Sequence, residues 1–254
     1  MKKITVLTPT YNDSKSITET LTSLSSQTYT NWESIIIDDG STDNTKSIIE
    51  NFKKENNLEN KIKYIYQENK DQLNAILNGL NYITGDYIFV LHSDDLLPST
   101  DFFEKIIPLI ESSNYDAIIG DLQIINDSSR VVNCWKALKY RNSKCVPAIL
   151  LLNGGANIYG DVALWKKEIY INHVKNNYLS WNTPFWIDLQ DNPKILNVKT
   201  VKIPILKYRI HESNYINNNI GKFNVLNGEL RTLSILLNYY TIPLYPVSYT
   251  HLTL

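Results

Sequence analysis

The sequence predicts an α/β fold with a mainly parallel central sheet flanked by helices, and three observations lead to this. Over residues 1–125, short β-rich runs alternate with amphipathic helical patterns, as in repeated βαβ units. Polar clusters directly follow three of these runs, where ligands bind in open parallel sheets. Beyond Ile125 the alternation stops, so we expect residues 126–220 to form a less regular half that packs on the same sheet.

Strands are expected where β-branched and aromatic residues collect between turn signals. The turn residues Asn126–Ser129 are expected to form a hairpin after the last strand of the first half. The predicted strands are Ile4–Thr10, Glu33–Asp38, Lys61–Gln67, Asp86–Leu91 and Asp116–Ile125.

Helices are expected between these strands, where apolar residues recur at spacings of three and four. Ser16 and Glu19 have the spacing of a capping box at the start of the first helix. The fourth helix is expected to start at Ser99 or Thr100 and to be kinked or ended by Pro108. The apolar stripes are Ile17, Leu21 and Leu24, then Ile48, Ile49 and Phe52, then Leu73, Ile76, Leu77 and Leu80, then Phe103, Ile106 and Ile107.

The composition excludes several classes of protein. The 254 residues hold 25 Lys and Arg against 26 Asp and Glu, and this formal net charge of −1 argues against a nucleic-acid partner or a polybasic hold on membrane. Cys134 and Cys145 form no CxxC motif, so we expect no disulfide framework and favour a reducing cytoplasm. No apolar run approaches the ~18 residues of a spanning helix. Any membrane contact, at the inner face, is therefore expected to be peripheral.

Three polar clusters stand at predicted strand ends: Pro9–Asp13, Asp38–Ser41 and His92–Asp95. Each cluster alone is typical of turns and helix N-caps. Because the carboxyl ends of parallel strands meet at one edge of a sheet, their convergence predicts a binding cleft.

The cleft lacks the usual glycine-rich phosphate loops. Neither G-x-G-x-x-G nor G-x-x-x-x-G-K-[ST] occurs in the first βα turn, which has no glycine. The paired carboxylates Asp94 and Asp95 suggest instead a divalent cation, Mn²⁺ or Mg²⁺, that bridges protein and diphosphate oxygens.

Six short motifs follow one another along the chain. They are Pro9-Thr10-Tyr11-Asn12, Asp38-Asp39-Gly40-Ser41-Thr42-Asp43, Gln67-Glu68-Asn69 with Asn74 and Asn78, Gly85-Asp86-Tyr87-Ile88, Ser93-Asp94-Asp95 with Pro98, and Tyr208-Arg209-Ile210-His211-Glu212-Ser213. In order and spacing they resemble the family 2 glycosyltransferases of the GT-A fold. The resemblance covers residues 3–215 and is loose over 126–200.

The resemblance implies an inverting enzyme that moves a sugar from a nucleotide-sugar donor, UDP-sugar favoured, to an acceptor hydroxyl in cell-surface polysaccharide or glycan assembly. The implied acceptor is a glycan or a lipid-linked sugar. We expect a single domain at 1–240, with a nucleotide-sugar-binding half at 1–125, an acceptor-side half at 126–220 and a terminal helix at 221–240. We interpret 241–254 as an irregular tail that is not native sequence.

Donor-binding residues also follow from the resemblance. Asp39 matches the position that accepts the uracil N–H, although a turn or N-cap aspartate is the alternative. Tyr11 matches the position that stacks near the base, with a buried anchor of the first turn as the alternative. Pro9 and Thr10 are expected to shape the loop through their backbone.

The metal-binding residues implied are Asp94, Asp95 and His211. One of the two aspartates would reach the ribose and the other the metal, and His211 would contact metal or phosphate. The family often reads D-x-D-D where this chain has His92 in the first place. An imidazole lacks a carboxylate's charge, so altered donor affinity or metal preference is expected, unless His92 is only a strand-end residue.

The general base is missing from its expected position. An inverting transferase needs a group to take the acceptor's proton, and Asn182 stands where the resemblance places an aspartate. Asp161 and Asp188 are the candidates to serve instead, with Asp191 a further carboxylate nearby. Alternatively, this stretch matches the family motif in a different register, or the chain binds a nucleotide sugar without catalysing transfer. A sugar nucleotidyltransferase is a third class, and it lacks its glycine-rich loop here.

Overall fold

The computed structural model describes residues 1–137, 163–174 and 197–211, with Asn214, Asn219, Lys222 and Phe223. The strands of this part form one sheet of eight, flanked by helices, and the predicted α/β class is confirmed. The strands are β1 Ile4–Thr10, β2 Trp32–Asp38, β3 Ile62–Tyr66, β4 Tyr87–Val90, β5 Ala117–Ile125, β6 Val131–Trp135, β7 Leu164–Lys166 and β8 Val198–Arg209. The helices are α1 Ile17–Ser25, α2 Thr45–Glu55, α3 Gln72–Gly79 with a 3-10 turn at Leu80–Tyr82, α4 Phe102–Ser113 and α5 Lys167–His173.

The sheet has the strand order β3-β2-β1-β4-β7-β5-β6, with β8 beside β5. Strands β3, β2, β1 and β4 are mutually parallel. Strand β7 is antiparallel to both β4 and β5, so a three-residue segment from the later half of the chain lies between them. Strand β8 runs parallel to β5 and ends at Arg209, beside the carboxyl end of β4.

Helices cover both faces of the sheet, and the core forms two layers. Side chains alternate between the faces along each strand, so Ile36 packs in one layer while Ile35 and Ile37 pack in the other. The first layer includes α1, α2 and α4, and the second includes α3 and α5. All seven residues of β1 are buried, as expected for a central strand between two helical layers.

Helix α4 corrects one expectation. Pro108 does not end the helix, which begins at Phe102 and continues to Ser113. Although proline removes one backbone hydrogen bond, the apolar face of α4 is buried on both sides of it, at Phe103 and Ile110. Asn114 caps the C-terminus of the helix, and its φ of 46° lies in the left-handed region typical of such caps.

The capping box predicted at α1 is wrong as well. Ser16 makes no side-chain capping hydrogen bond, and the carboxylate of Glu19 instead accepts hydrogen bonds from Arg209 and Ser129. Arg209 and Ser129, which are distant in the sequence, therefore bind the carboxylate that a capping box would use locally. The predicted hairpin turn is confirmed, because Ser129 N donates to the Asn126 carbonyl at 2.9 Å between β5 and β6. Within the described ranges, no helix is long and apolar enough to cross a bilayer.

Candidate active site

The ends of β1, β2 and β4 meet at one edge of the sheet and bring the three polar clusters together. The Asp39 amide donates to the Thr10 carbonyl at 2.9 Å, joining the first cluster to the second. The Ser93 hydroxyl donates to the carboxylate of Asp13, joining the third cluster to the first. The clusters therefore form one continuous polar surface.

Asp38 has both carboxylate oxygens occupied by the protein. Oδ1 accepts from Ser41 N at 2.7 Å, and Oδ2 accepts from the Tyr64 hydroxyl at 2.6 Å. Burial, together with this hydrogen bond to Asp38, raises the pKa of Tyr64, so its hydroxyl remains a donor. Asp38 thus closes the turn after β2 and serves the fold.

Asp39 is buried like Asp38 but is held differently. Both of its side-chain hydrogen bonds go to Oδ1, from Gln67 Nε2 at 2.7 Å and from Lys70 N at 2.9 Å. In the part of the chain that the structure describes, no group donates to Oδ2. Asp39 therefore has an acceptor oxygen to offer to a ligand.

The residues at the end of β1 differ in their exposure to solvent. Pro9 and Thr10 are buried in β1, where they contribute backbone groups. Tyr11 is 52% exposed, so the alternative of a buried anchor is excluded and its ring is accessible to a ligand.

The turn after β4 separates its two aspartates. Thr20 fixes this turn, because its hydroxyl contacts the carbonyls of Ser93 and Asp95 at 2.7 and 2.8 Å. Asp95 is fully buried, and its Oδ1 accepts from the Arg209 amide at 2.8 Å. Asp94 Oδ2 lies instead 2.9 Å from the Nε2 of His211. The structure thus brings Asp94 and His211 together and places the Asp95 carboxylate against β8.

Arg209 connects this turn to the rest of the molecule. Its side chain is 4% exposed, and Nε donates to the Asp94 carbonyl at 2.7 Å. Nη1 donates to the carbonyls of Asn126 and Asp127, and Nη2 lies 2.7 Å from Glu19 Oε2. The sequence singled out Arg209 only as part of a motif. Its role depends on groups from three separate segments.

Asn214 holds His211 in place beside Asp94. Its Oδ1 accepts from His211 N at 2.6 Å, and its Nδ2 donates to the Arg209 carbonyl at 3.2 Å. These two hydrogen bonds tie Asn214 to the residues that follow β8.

Two further side chains border the site. Burial raises the pKa of Asp13, a Ser93 hydrogen bond opposes this, and the charge of Asp94 adds to it. His92 Nε2 lies 3.4 Å from Gln72 Nε2 at the start of α3. His92 thus presents an imidazole, in contact with a neutral amide, where the resemblance leads one to expect a carboxylate.

The pair Asp94 and His211 fits a divalent cation. Carboxylate oxygen suits Mg²⁺ and Mn²⁺, and imidazole is the commonest protein ligand of metals. Across the described residues, however, no group of three or more His, Cys, Asp or Glu side chains is placed to hold a metal ion. A cation here would therefore take further ligands from a diphosphate and water, as Mg²⁺ commonly does.

The base candidates fall outside the described residues. These are Asp161, Asp188 and Asp191, together with Asn182, and the structure gives no account of their surroundings.

The fold is that of a GT-A type protein, with its three polar clusters at the carboxyl edge of the parallel strands. The chain belongs to the glycosyltransferases described as "Glycosyl transferase family 2", whose sequence profile matches residues 5–160. The predicted family is thereby confirmed.

Similar proteins include an uncharacterized glycosyltransferase of Nostoc, 24% identical over 217 residues, which covers 84% of this chain and 66% of that protein. A poly-beta-1,6-N-acetyl-D-glucosamine synthase of Staphylococcus aureus is 30% identical over 173 residues, 67% of this chain and 41% of that protein. The chain thus spans less than two thirds of these relatives.

Solved structures share the fold. S. aureus TarS 1-349 in complex with UDP-GlcNAc superimposes with a TM-score of 0.67 at 17% identity, over 93% of this chain and 71% of that one. A mannosyltransferase from Pyrobaculum calidifontis in complex with GDP-Man and Mn²⁺ gives 0.62 at 13% identity, over 95% of this chain and 77% of that one.

Proposed function

We propose that this chain binds a nucleotide-sugar donor, with UDP-sugar favoured, and transfers its sugar to a hydroxyl of a glycan or lipid-linked acceptor. The observation that carries the proposal is the division between the two aspartates after β2. Asp38 uses both oxygens within the fold, whereas no group among the described residues donates to Oδ2 of Asp39. Uracil presents one N–H between two carbonyls, so a single well-held carboxylate oxygen is a suitable partner.

The proposed diphosphate position lies at Asp94 and His211. A cation held by this pair would supply positive charge to the leaving nucleoside diphosphate, in a chain that has no general excess of Lys and Arg. Complexes of relatives with UDP-GlcNAc, and with GDP-Man and Mn²⁺, support a sugar-nucleotide donor and a metal. The proposal also includes inversion at the anomeric carbon and a role in surface polysaccharide assembly. The proposed location is the cytoplasm or the inner face of the membrane.

The test is a thermal-shift series with UDP, GDP, dTDP and CMP, each with and without Mn²⁺, because a ligand that binds the folded state raises its melting temperature. We expect UDP with Mn²⁺ to give the largest shift. Asp39→Asn should abolish the UDP shift. Asp38→Asn is the matched control, and it should lower the melting temperature of the ligand-free protein while keeping a UDP shift. The proposal fails if the native chain responds to no nucleotide.

A second candidate function is nucleotide-sugar binding without transfer. It is motivated by Asn182 at the expected base position and by His92 in place of a carboxylate. Donor binding without turnover over a broad acceptor panel would support it, and any measurable transfer would exclude it.

A further inference from the structure

Two neutral amides stand behind Asp39 in a single line of hydrogen bonds. Asn78 Nδ2, on α3, donates to Gln67 Oε1 at 2.8 Å, and Gln67 Nε2 donates to Asp39 Oδ1 at 2.7 Å. Both amide side chains are half-buried. Each presents an N–H to the next group in the line.

The Asp39 carboxylate sets the direction of this line, and Asn78 supports it. A glutamine amide can turn over and exchange its oxygen for its nitrogen, and only its neighbours decide which way it faces. A carboxylate can only accept, so the Gln67 N–H faces Asp39, and Asn78 stabilises that direction by donating to Gln67 Oε1. If Gln67 turned over, its oxygen would meet the Asp39 carboxylate and the two acceptors would repel.

Two glycines allow the elements of this line to come close enough. Gly40 has a φ of 86°, and a Cβ there would lie 2.9 Å from Asn69 N, so only glycine lets the 67–70 segment close over Asp39. Gly79 packs α3 onto β1, where a Cβ would lie 2.3 Å from Leu7 Cδ1. These close contacts bring Lys70 N to the Asp39 carboxylate and Asn78 to the Gln67 amide.

We propose that Gln67 and Asn78 are positioning residues that orient the Asp39 carboxylate and thereby make the site selective for a nucleobase with an imide N–H. The inference rests on the proposed function, because it takes Asp39 as the group that meets the base. With Oδ1 held by two donors, Oδ2 faces the ligand as a fixed acceptor. A fixed acceptor oxygen forms a hydrogen bond with a base that carries an N–H. A base without that hydrogen would place its own lone pair against the oxygen, which is repulsive.

A comparison of uracil with cytosine distinguishes selective positioning of Asp39 from a merely structural role of Gln67 and Asn78. They have about the same size and would stack equally on the exposed Tyr11 ring, but uracil N3 carries a hydrogen and cytosine N3 carries a lone pair. Loss of the line from Asn78 should therefore weaken UDP and leave the weaker CDP unchanged. A merely structural role would weaken both nucleotides together.

The test is the ratio of the UDP and CDP dissociation constants, measured by calorimetry with Mn²⁺ on the full chain. Asn78→Asp replaces a donor by an acceptor of the same shape, so that a second carboxylate competes with Asp39 for the Gln67 N–H. Gln67→Met keeps the length of the side chain and removes both hydrogen bonds. In each variant we expect the Kd of UDP to rise on the order of tenfold and that of CDP to stay within about twofold, the scale of one hydrogen bond to a charged group.

A matched control and a double variant sharpen the test. Asn81→Asp adds the same charge three positions later, where the side chain is exposed and contacts only the Asn78 carbonyl. It should leave the ratio unchanged. Because Asn78 acts through Gln67, adding Asn78→Asp to Gln67→Met should give no further loss.

The outcomes separate this inference from the function on which it rests. If both variants keep the native ratio while Asp39→Asn loses UDP, the positioning role is overturned and the donor site stands. If UDP and CDP weaken equally, the selective role is likewise overturned. If the native chain binds neither nucleotide, the proposed function fails and the inference fails with it.

Discussion

Arg209 Nη2 lies 2.7 Å from Glu19 Oε2, a contact that joins the end of β8 to α1 across 190 positions of the sequence. The two partners differ in environment, since the Arg209 side chain is 4% exposed and that of Glu19 is 50% exposed. The arginine is therefore the structural member of the pair. Its other hydrogen bonds hold the turn that carries Asp94 and the hairpin turn after β5.

We expect Arg209→Ala to lower the free energy of unfolding by about 3 kcal/mol, because it leaves several buried carbonyls without a donor. Glu19→Gln should lower it by about 1 kcal/mol, since the Glu19 side chain is half-exposed and water screens its charge, while Arg209 keeps its other acceptors. Urea unfolding measures both values. Lys105→Ala, which breaks an exposed pair with Asp101, is the control and should be neutral. Equal stability of Arg209→Ala and the native chain would show that the network is not structural.

The Asp94 and His211 pair predicts how Mn²⁺ affects donor binding. His211→Gln and Asp94→Asn should each reduce the gain in UDP affinity caused by Mn²⁺ by tenfold or more, on the order seen when metal sites lose a supporting group. Affinity in the presence of a chelator should change little for His211→Gln. Asp101→Asn, an exposed carboxylate at the start of α4, is the control, and calorimetry with and without Mn²⁺ is the measurement. A full Mn²⁺ effect in His211→Gln would remove this histidine from the metal site.

Glu33 predicts an acid-sensitive part of the stability at the opposite, amino-terminal edge of the strands. Burial opposes its ionisation, but hydrogen bonds from Lys3, Thr5 and Thr84 outweigh this and lower the pKa of Glu33 to about 2. Because the folded-state pKa is depressed from 4.5, this stabilisation is complete above about pH 4.5 and is lost as the pH falls towards 2.

Solvent screens part of this site, so the linkage amounts to roughly 2 kcal/mol. Glu33→Gln should lower stability at pH 7 by an amount of that order and flatten the decline between about pH 4.5 and 2, as measured by urea unfolding at each pH. Glu59→Gln, an exposed carboxylate after α2, is the control for the same chemical change. UDP affinity at pH 7 should not change in Glu33→Gln. A native-like acid profile in that variant would contradict the assignment.

Asn182→Asp tests the base position that the resemblance indicates. If the position is correct, a carboxylate there should raise the transfer rate on the order of 10²-fold or more, the usual contribution of a general base. Single-turnover assays with a fixed donor measure the rate, and Asn177→Asp is a control in the same stretch of sequence. No gain would direct attention to Asp161→Asn and Asp188→Asn, one of which should then abolish transfer.

Much of the fold follows from short-range patterns. The five strands predicted for residues 1–125 match β1 to β5 within one or two residues, because alternation of buried side chains and turn chemistry are encoded locally. The insertion of β7 between β4 and β5 is different. Three residues carry too little periodicity to predict a strand, and their place depends on pairing with two strands distant in the chain.

The candidate site likewise depends partly on local sequence and partly on long-range packing. By itself the sequence determined which residues collect at the strand ends and which family the chain belongs to, since spacing and residue type are properties of neighbours along the chain. Only the tertiary structure decided that Asp38 closes a turn while Asp39 offers an oxygen, that Asp95 accepts from Arg209, and that Glu19 pairs with Arg209 rather than capping α1. Each of these depends on which donor comes within about 3 Å of a carboxylate, and that is set by how distant segments pack.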